Sequence, residues 1–364
     1  MEDKVFAFWL CNLQGIGNRK IERLLQYFGS PKEIFFSEAY HFEQIDNLSE
    51  KDRENLTKNR NMDQLKKWYE KAIERGISFV YREEKTFPEK LKQLAGMPYG
   101  LFYKGNLPLE NMPSVAVVGA RDSSYEAKQL AGKLGYELAE NGIQVISGMA
   151  RGVDIAAQKG AMRAAKGRTY GILGTGVDIC YPRQHIESYM MMQENGGVIS
   201  QFPLQTPALP YHFPMRNGII SALADGILVI EAGKKSGSLI TAELGLEQGK
   251  EIFVVPGNIT NPRYEGGNKL LKNGAVLVTS VLDILDGLGL FFDQDVVERK
   301  KKSEDMLETA EKIVYAILSL EPIHISEIVE KTGLELSAAI EILLSLQMKQ
   351  LVQTVGNNYF AIKL

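Results

Sequence analysis

The sequence predicts an α/β fold with a doubly wound parallel sheet, preceded by a helical domain and followed by a small domain of helices and a hairpin. Two observations predict the sheet. Strand-like and helix-like runs alternate regularly from Ser114 onward. The strand-like runs are rich in Val and Ile without polar alternation, which is typical of strands covered on both faces.

Composition excludes several classes of protein. The 364 residues are 45% hydrophobic and 24% charged, with a net charge of −3, as in soluble proteins of more than one domain. No apolar run is long enough to span a membrane, and the start of the chain has no cleavable signal pattern. Cys11 and Cys180 are far apart, and the four histidines are dispersed. We therefore expect a cytoplasmic protein without a disulfide framework, a metal site or a membrane segment.

The stretch Gly226–Gly257 contains the most informative strand-to-helix turn. A buried strand is followed by the loop GKKSGS, a helix and a second buried strand. Serine hydroxyls, free main-chain N–H groups and the positive end of a helix dipole favour an anion such as phosphate at Ser236, Gly237 and Ser238. Lys234 and Lys235 add positive charge beside them. An ordinary N-cap without a ligand explains the same residues, so this turn alone leaves both interpretations open.

The composition divides the chain into four segments. We predict a helical domain over residues 1–61, the sheet domain over 62–290, a charged linker over 291–309 and a small domain over 310–364. Residues 77–81 and 100–104 are predicted to add edge strands to the sheet. A longer loop that contains HFPMR is predicted to lead into a helix over NGIISALA.

The N-terminal segment contains the turn Gly15-Ile16-Gly17 between two predicted helices. Helix-hairpin-helix modules use such a turn to hold a DNA backbone phosphate on main-chain amides. Arg19 and Lys20 are placed to assist, so Gly15, Gly17, Arg19 and Lys20 are candidate secondary DNA contacts. A helical bundle that serves only for packing explains the pattern at least as well.

The C-terminal segment predicts a winged helix-turn-helix. Its elements are three helices, over Ala310–Leu320, Ile325–Lys331 and Leu336–Met348, followed by two short strands. The third helix carries Glu341 and almost no basic residue, whereas reading a DNA major groove needs Arg, Lys, Asn or Gln there. We therefore favour a protein-contact module over a duplex reader.

Ligands of an open α/β sheet bind outside the carboxyl ends of its strands. Those ends carry small residues that allow close approach, an aromatic residue for base stacking, and arginines suited to phosphate. Each arginine taken alone could have an ordinary structural role, such as capping a helix or pairing with an acid. Phe213 could likewise be an ordinary core residue. Together they favour a phosphate-rich ligand at the following residues: Arg121, Ser147, Gly148, Arg151, Arg183, Phe213, Arg216, Asn217, Lys234, Lys235, Ser236, Gly237 and Ser238.

Cofactor and nucleophile motifs do not match. The first strand-to-helix turn, GARDSSYE, lacks the G-x-G-x-x-G of dinucleotide sites, and neither a nucleoside-triphosphate loop nor a nucleophile elbow is present. Glu231 and Glu243 could act as acid–base groups, but their spacing does not define a catalytic pair. We expect no cofactor and no catalytic residue.

Several long motifs resemble the DNA-processing protein DprA (Smf) family: VVGARDSS, ISGMARGVDIAAQKGAM, GILGTGVDICYPR, FPMRNGIIS, VIEAGKKSGSLITAELGLEQGKEIFVVPG and NKLLKNGAVLVTS. The resemblance covers roughly residues 79–290. It implies an extended Rossmann-like domain, with an N-terminal helical domain and a C-terminal winged-helix domain. It also implies a homodimer that binds single-stranded DNA and helps to load a RecA-type recombinase during natural transformation and homologous recombination in competence, with no established catalytic activity.

The resemblance also assigns roles to particular residues. The family's DNA contacts correspond to Arg121, Arg183, Phe213, Arg216 and the segment Ser236–Ser238. The family pattern FPxRNRIIS usually has a second arginine where this sequence has Gly218, which removes a cation or a structural ion pair. The resemblance implies dimerisation through the far end of the sheet domain, where the apolar segment Leu270–Val278 is the candidate surface.

Two other functions remain open. Nucleotide ribosyl-hydrolases of the lysine-decarboxylase-like group have a related fold, and their G-G-x-G-T-x-x-E pattern is partly matched by SGSLITAE. Such an enzyme would release a free base from a nucleoside monophosphate. A scaffold that meets DNA only through its partners is the other alternative.

Overall fold

The computed structural model describes residues 2–58, 60–94, 96–290, 309–319, 321–349 and 351–362. The chain divides into two compact units, Met1–Leu288 and Gly289–Leu364. All of the predicted linker except Thr309 lies outside the described residues. None of the described helices is long and apolar enough to cross a membrane.

A sheet of nine strands organises the first unit, in the order β1-β2-β6-β5-β4-β3-β7-β8-β9. The strands from β6 to β9 in that order pair in parallel, whereas β1 and β2 are antiparallel additions. The predicted doubly wound sheet and its two additional strands are therefore confirmed. The strands are β1 (Ser78–Tyr81), β2 (Gly100–Gly105), β3 (Ser114–Gly119), β4 (Gln144–Ser147), β5 (Thr169–Ile172), β6 (Gly197–Ser200), β7 (Gly226–Ile230), β8 (Glu251–Val254) and β9 (Val276–Leu277).

Helices cover both faces of this sheet, which explains why the central strands contain Val and Ile without polar alternation. Every residue of β4, β5, β6 and β7 is buried. The helices of the unit are α1 (Glu2–Asn12), α2 (Asn18–Phe28), α3 (Pro31–Phe36), α4 (Glu50–Thr57), α5 (Met62–Glu74), α6 (Glu89–Lys92), α7 (Tyr125–Glu140), α8 (Val153–Arg163), α9 (Ile186–Asn195), α10 (His212–Leu223), α11 (Ser238–Glu247), α12 (Glu265–Lys272) and α13 (Val281–Gly287).

The helix α10 begins earlier than predicted, at His212 instead of Asn217. The main-chain N–H of His212 donates to Leu209, and its imidazole Nδ1 lies 3.2 Å from the carbonyl oxygen of Gly174, which anchors the first turn. Pro214 lies in that first turn, where a missing N–H costs little. The segment HFPMR is therefore helical, and it projects its side chains from a rigid element.

The N-terminal helices share a core with the antiparallel edge of the sheet. The ring of Phe8 on α1 meets the rings of Phe79 and Phe102 edge-on, at centroid distances of 5.6 and 5.8 Å. Phe8 also packs edge-on against Trp68 of α5, at 5.2 Å. The segment predicted as a separate helical domain is thus joined to β1 and β2 by aromatic packing.

Strand order fixes the position of a crevice. From β3 the chain moves through β4 and β5 to β6 on one side, and it returns to β7 on the other side of β3. The connections that follow β3 and β7 therefore run to opposite sides of the sheet. A gap opens between them at the carboxyl ends of these two strands, as at other topological switch points.

The second unit is a winged helix, as predicted. It consists of α14 (Thr309–Ile317), β10 (Ile323–His324), α15 (Ile325–Thr332), α16 (Leu336–Met348), β11 (Val352–Thr354) and β12 (Tyr359–Ile362). The hairpin β11–β12 is joined by the short strand β10, which the sequence interpretation missed, in the order β10-β12-β11. A strand of two residues such as β10 is too short to show an alternating pattern in the sequence.

The core of the sheet is sensitive to loss of large side chains such as Phe253. This residue on β8 is fully buried and packs against Gly226 and Gly287. We predict that Phe253→Ala lowers the free energy of unfolding by about 3–5 kcal/mol, measured by urea denaturation with circular dichroism. Ile259→Ala is the control because that side chain is 91% exposed, and equal losses in the two variants would contradict the prediction.

Candidate nucleic-acid interface

A cleft of about 560 Å³ opens at the switch point between β3 and β7. It gathers predicted site residues from three separate segments, namely Arg121 after β3, Arg216 and Asn217 on α10, and Ser236–Ser238 at the start of α11. Its other lining residues are Val118, Gly119, Ala120, Asp122, Ala150, Asp154, Ile220, Gly233, Thr241, Pro262 and Arg263.

The serine loop presents the start of α11 to this cleft. Gly237 occupies the N-cap position and has no side chain to cap the helix. The main-chain N–H of Ser238, the first residue of α11, donates to the hydroxyl oxygen of Ser236 at 3.4 Å, and the two hydroxyl oxygens lie 2.7 Å apart. The hydroxyls and the positive end of the helix dipole lie in the cleft wall, so the turn is compatible with both a capped helix start and an anion site.

Phe213 forms an aromatic platform beside the cleft. The guanidinium carbon of Arg121 lies over its ring, 5.0 Å from the centroid, and the ring of Tyr181 lies 5.6 Å away. Gly174 supports the ring from behind, because a Cβ at that position would lie 2.9 Å from Phe213 Cδ1. Phe213 is half-buried, Arg121 and Tyr181 are exposed, and the three form a mixed cationic and aromatic surface.

Arg216 differs from the prediction that it belongs to an exposed rim. It is only 3% exposed, and its Nη1 donates to the carbonyl oxygens of Gly148 and Ile172. Burial lowers the pKa of its guanidinium to about 10, an effect opposed by the carboxylate of Asp154 and reinforced by Arg121. Because 10 is still well above neutrality, Arg216 remains a buried cation that ties α10 to the ends of β4 and β5.

Asp154 is the acid that faces this buried cation. Its Oδ2 accepts from the main-chain N–H of Gly148 at 3.1 Å and from that of Ala150 at 3.4 Å. Burial raises the pKa of this carboxyl group, while Arg216 and the two N–H groups act in the opposite direction. Asp154 and Arg216 both line the cleft, and the described residues show no direct ion pair between them.

Ser147 and Gly148 also serve the structure instead of facing a ligand. The hydroxyl of Ser147 is fully buried and donates to the carbonyl oxygen of Val117 at 2.6 Å. A Cβ on Gly148 would lie 2.1 Å from Nη1 of Arg216. In this conformation both residues shape the wall, because one joins neighbouring strands and the other leaves room for the guanidinium.

The remaining predicted cations lie at the same sheet edge but outside the cleft wall. They are exposed and follow three different strands: Arg151, Arg183, Lys234 and Lys235. Lys234 approaches Glu265 at 3.5 Å, and both side chains are largely exposed, so this pair contributes little.

Arg263 is a site residue that the sequence interpretation missed. It lies beyond β8 and reaches back to the main-chain carbonyl of Asp122, to Asp122 Oδ2 at 3.4 Å and to Glu231 Oε1 at 3.4 Å. The hydrogen bond with Glu231 raises the pKa of Arg263. Extending the strand-end rule a few residues past Gly257 would have found it.

The candidate secondary contacts near the N-terminus are partly engaged. Lys20 donates to the carboxylate of Asp52 at 2.6 Å and to the carbonyl of Gly15 at 2.9 Å. Burial alone would raise the pKa of Asp52, but hydrogen bonds from Lys20 and Ser49 outweigh it and lower the pKa. Arg19 is exposed, and Gly17 is the N-cap of α2. Lys20 and Gly15 therefore hold α2 against α4.

Gly218 lies buried in α10, where the family pattern has a second arginine. A Cβ at this position would meet Met97 Cε at an ordinary 3.7 Å. Among the residues that the structure describes, no group of three His, Cys, Asp or Glu side chains is placed to hold a metal ion.

The contact between Gly148 and Arg216 predicts an unequal response to alanine at two cleft glycines. Gly148→Ala should lower the Tm by several degrees, because a loss of about 1–3 kcal/mol follows from displacing the guanidinium. Gly237→Ala is the control, since its Cβ would meet no atom within 4 Å and its φ is −63°. Differential scanning calorimetry distinguishes the two, and an unchanged Tm for Gly148→Ala would contradict the packing described.

Comparison with known proteins gives consistent matches over both units. The family described as DNA recombination-mediator protein A matches residues 78–289, and the DprA winged helix domain matches residues 298–358. Protein Smf of Escherichia coli (strain K12) is 34% identical over 286 residues, which cover 77% of this chain and 76% of that protein. DNA processing protein DprA of Streptococcus pneumoniae is 39% identical over 199 residues, covering 55% and 70%.

Two solved structures agree with these matches. The X-ray structure of DNA processing protein A from Streptococcus pneumoniae superposes with a TM-score of 0.61 at 30% identity, covering 78% of this chain and 97% of that one. DNA processing protein A from Helicobacter pylori, whose structure was described for its single-stranded DNA binding mode, gives 0.53 at 28% identity, covering 58% and 95%. The chain belongs to the DNA recombination-mediator protein A (DprA, Smf) family.

Proposed function

We propose that this protein binds single-stranded DNA along the carboxyl edge of its sheet, with one phosphate seated in the cleft. The observation that carries the proposal is the arrangement of Arg121 over the ring of Phe213, next to the start of α11. A cation beside an aromatic face suits a nucleotide, whose phosphate and base need different partners. The family relative from Helicobacter pylori, which binds single strands, supports this assignment.

The ligand is a strand and not a single nucleotide. Arg151, Arg183, Lys234 and Lys235 are exposed at the same edge of the sheet but do not line the cleft, so a ligand held only inside the cleft leaves them unused. A polymer can engage several of them at once and release a counterion at each phosphate.

The winged helix is assigned to protein contact in this proposal. Its third helix, α16, presents four exposed apolar side chains at intervals of one turn: Leu336, Ile340, Leu344 and Met348. Lys349, the cation at its end, donates to Glu311 at 2.6 Å. Gln347, a residue type that could read a base edge, donates to the hydroxyl of Thr354 at 2.6 Å, and α16 itself contains no Arg, Lys or Asn.

The biological role that we propose follows the family. The protein would protect incoming DNA in the cytoplasm and help to load a RecA-type recombinase during natural transformation, as a homodimer. Leu270–Val278 remains the proposed pairing surface. It is supported by β9, the last strand of the sheet, where Leu277 is 50% exposed.

Binding without catalysis is part of the same proposal. Glu231 is 1% exposed, and its carboxylate accepts from the N–H of Ser124 at 2.9 Å and from the hydroxyl of Ser124 at 2.5 Å. Its partners are therefore structural. Glu243 is exposed on α11 and does not contribute to the wall of the cleft. Neither carboxylate is placed to act on a nucleotide held there.

We predict that Arg121→Ala weakens binding of a single-stranded oligonucleotide about ten- to a hundredfold, the effect of losing a charge-assisted hydrogen bond to phosphate. The dependence of log Kd on log salt should also become shallower, because one fewer counterion is released. Fluorescence anisotropy at several salt concentrations measures both quantities.

The matched control for this prediction is Arg163→Ala. Arg163 is exposed in the last turn of α8, which leads away from the carboxyl edge. The Arg163→Ala protein should bind the oligonucleotide with the same affinity as the parent. Equal affinities for the parent and the Arg121→Ala protein would place the DNA elsewhere.

The ribosyl-hydrolase alternative predicts that a free base is released from nucleoside monophosphates, whereas binding without catalysis predicts no such release. We expect that liquid chromatography detects no free base after prolonged incubation of the protein with a nucleoside monophosphate. Release of base that is lost in Glu243→Gln would contradict the proposal of binding without catalysis and support the enzyme.

A further inference from the structure

We propose that a groove lined by both tryptophans of the chain is a second base-binding site, which takes a nucleobase further along the strand held in the cleft. This tryptophan groove comprises two adjoining cavities of about 440 and 340 Å³. They share Asn12, Gln14 and Trp68, and the inference rests on the function proposed above.

Helical spacing on α5 produces one wall of the groove. Gln64, Trp68, Lys71 and Arg75 recur at intervals of three or four residues and so lie on one face. Trp68 is 38% exposed, although its ring is large and apolar. The edge-on contact with Phe8 fixes its orientation and leaves surface for another flat ring.

The side chains around this indole provide the other chemistry that a nucleotide needs. The carboxamides of Gln14 and Gln64 are exposed and make no hydrogen bond within the part of the chain that the structure describes. Carboxamides both donate and accept, as base edges do. Lys71 and Arg75 are likewise exposed without an ion pair among the described residues, and they suit a phosphate.

Two other residues of the groove, Asp178 and Trp9, are compatible with a nucleotide ligand. Asp178 accepts the N–H of Gln205 on both carboxylate oxygens, at 2.9 and 3.1 Å. Trp9 forms part of the wall, and its buried indole N–H has no acceptor among the described residues. The wall therefore retains an unsatisfied donor.

Sheet topology connects the groove to the cleft. Asp178 follows β5, and Leu204 and Gln205 follow β6, so the groove opens at the same carboxyl edge. From β3 to β6 there are three strand spacings, about 15 Å in all. Tyr181 follows β5, as Asp178 of the groove does, and its ring lies 5.6 Å from that of Phe213 beside the cleft. A strand that leaves the cleft past these rings reaches Trp68.

Intrinsic fluorescence tests this path directly, because the chain has only two tryptophans and both line the groove. An oligonucleotide of about 16 nucleotides should quench the emission as its base stacks. A trinucleotide, which occupies only the cleft, should bind more weakly and leave the emission unchanged. Trp68→Ala should weaken binding of the long oligonucleotide about fivefold or more and leave that of the trinucleotide unaltered.

Tyr136→Ala is the matched control, since Tyr136 is a 39% exposed aromatic residue on α7. The double variant Lys71→Ala, Arg75→Ala tests the same groove without altering its aromatic packing, and it should also lose affinity for the long oligonucleotide alone. Normal binding of the long oligonucleotide with no quenching, and with Trp68→Ala equal to the parent, would overturn the inference and leave the proposed function intact.

Two further outcomes separate the hypotheses. Quenching by deoxyadenosine monophosphate as strong as that by the long oligonucleotide would make the groove a free-nucleotide site and overturn its link to the strand. Failure of the parent to bind any oligonucleotide would overturn the proposed function itself, and the inference with it.

Discussion

The buried guanidinium of Arg216 is the interaction on which the geometry of the candidate nucleic-acid interface depends. It joins α10 to the carbonyl oxygens of Gly148 and Ile172 at the ends of β4 and β5. Its guanidinium carbon also lies 5.9 Å from the ring of Phe213. Removing a partner from such a network leaves an uncompensated buried charge, which is far more costly than losing a surface ion pair. The position of the aromatic platform therefore depends on a charge that is almost fully buried.

Two buried acids near the cleft are engaged by groups of the protein itself, in a chain with a net charge of −3. Glu231 is bound by Ser124 and Arg263, while Asp154 is held by two main-chain N–H groups over a buried arginine. Each of these acids is compensated by groups of the protein itself. In the proposed function the exposed cations at the edge act on the ligand, because the local arrangement of charge matters more than the total.

The sequence was sufficient for the class of fold, and it predicted the sheet edge at which the candidate site lies. Runs such as GILVI predict covered parallel strands, and the rule that ligands bind at carboxyl ends brings Arg121 and Ser236–Ser238 to one edge. It was not sufficient to separate exposed arginines from buried ones. Arg121 and Arg216 both lie near strand ends, and only the start of α10 at His212 turns Arg216 inward. Arg263 was missed because its contacts with Asp122 and Glu231 join distant parts of the chain.

The flanking elements set how much of the edge a ligand can use. On one side the segment Pro262–Tyr264 closes the cleft through Arg263, and on the other α5 meets the loops that follow β5 and β6. Between these limits the surface carries the contiguous side chains of Arg121, Phe213 and Tyr181. A single nucleotide satisfies only one end of such a surface. The geometry therefore favours a flexible polymer with repeated phosphates and bases, which is what distinguishes a single strand from every smaller anion that the cleft alone would accept.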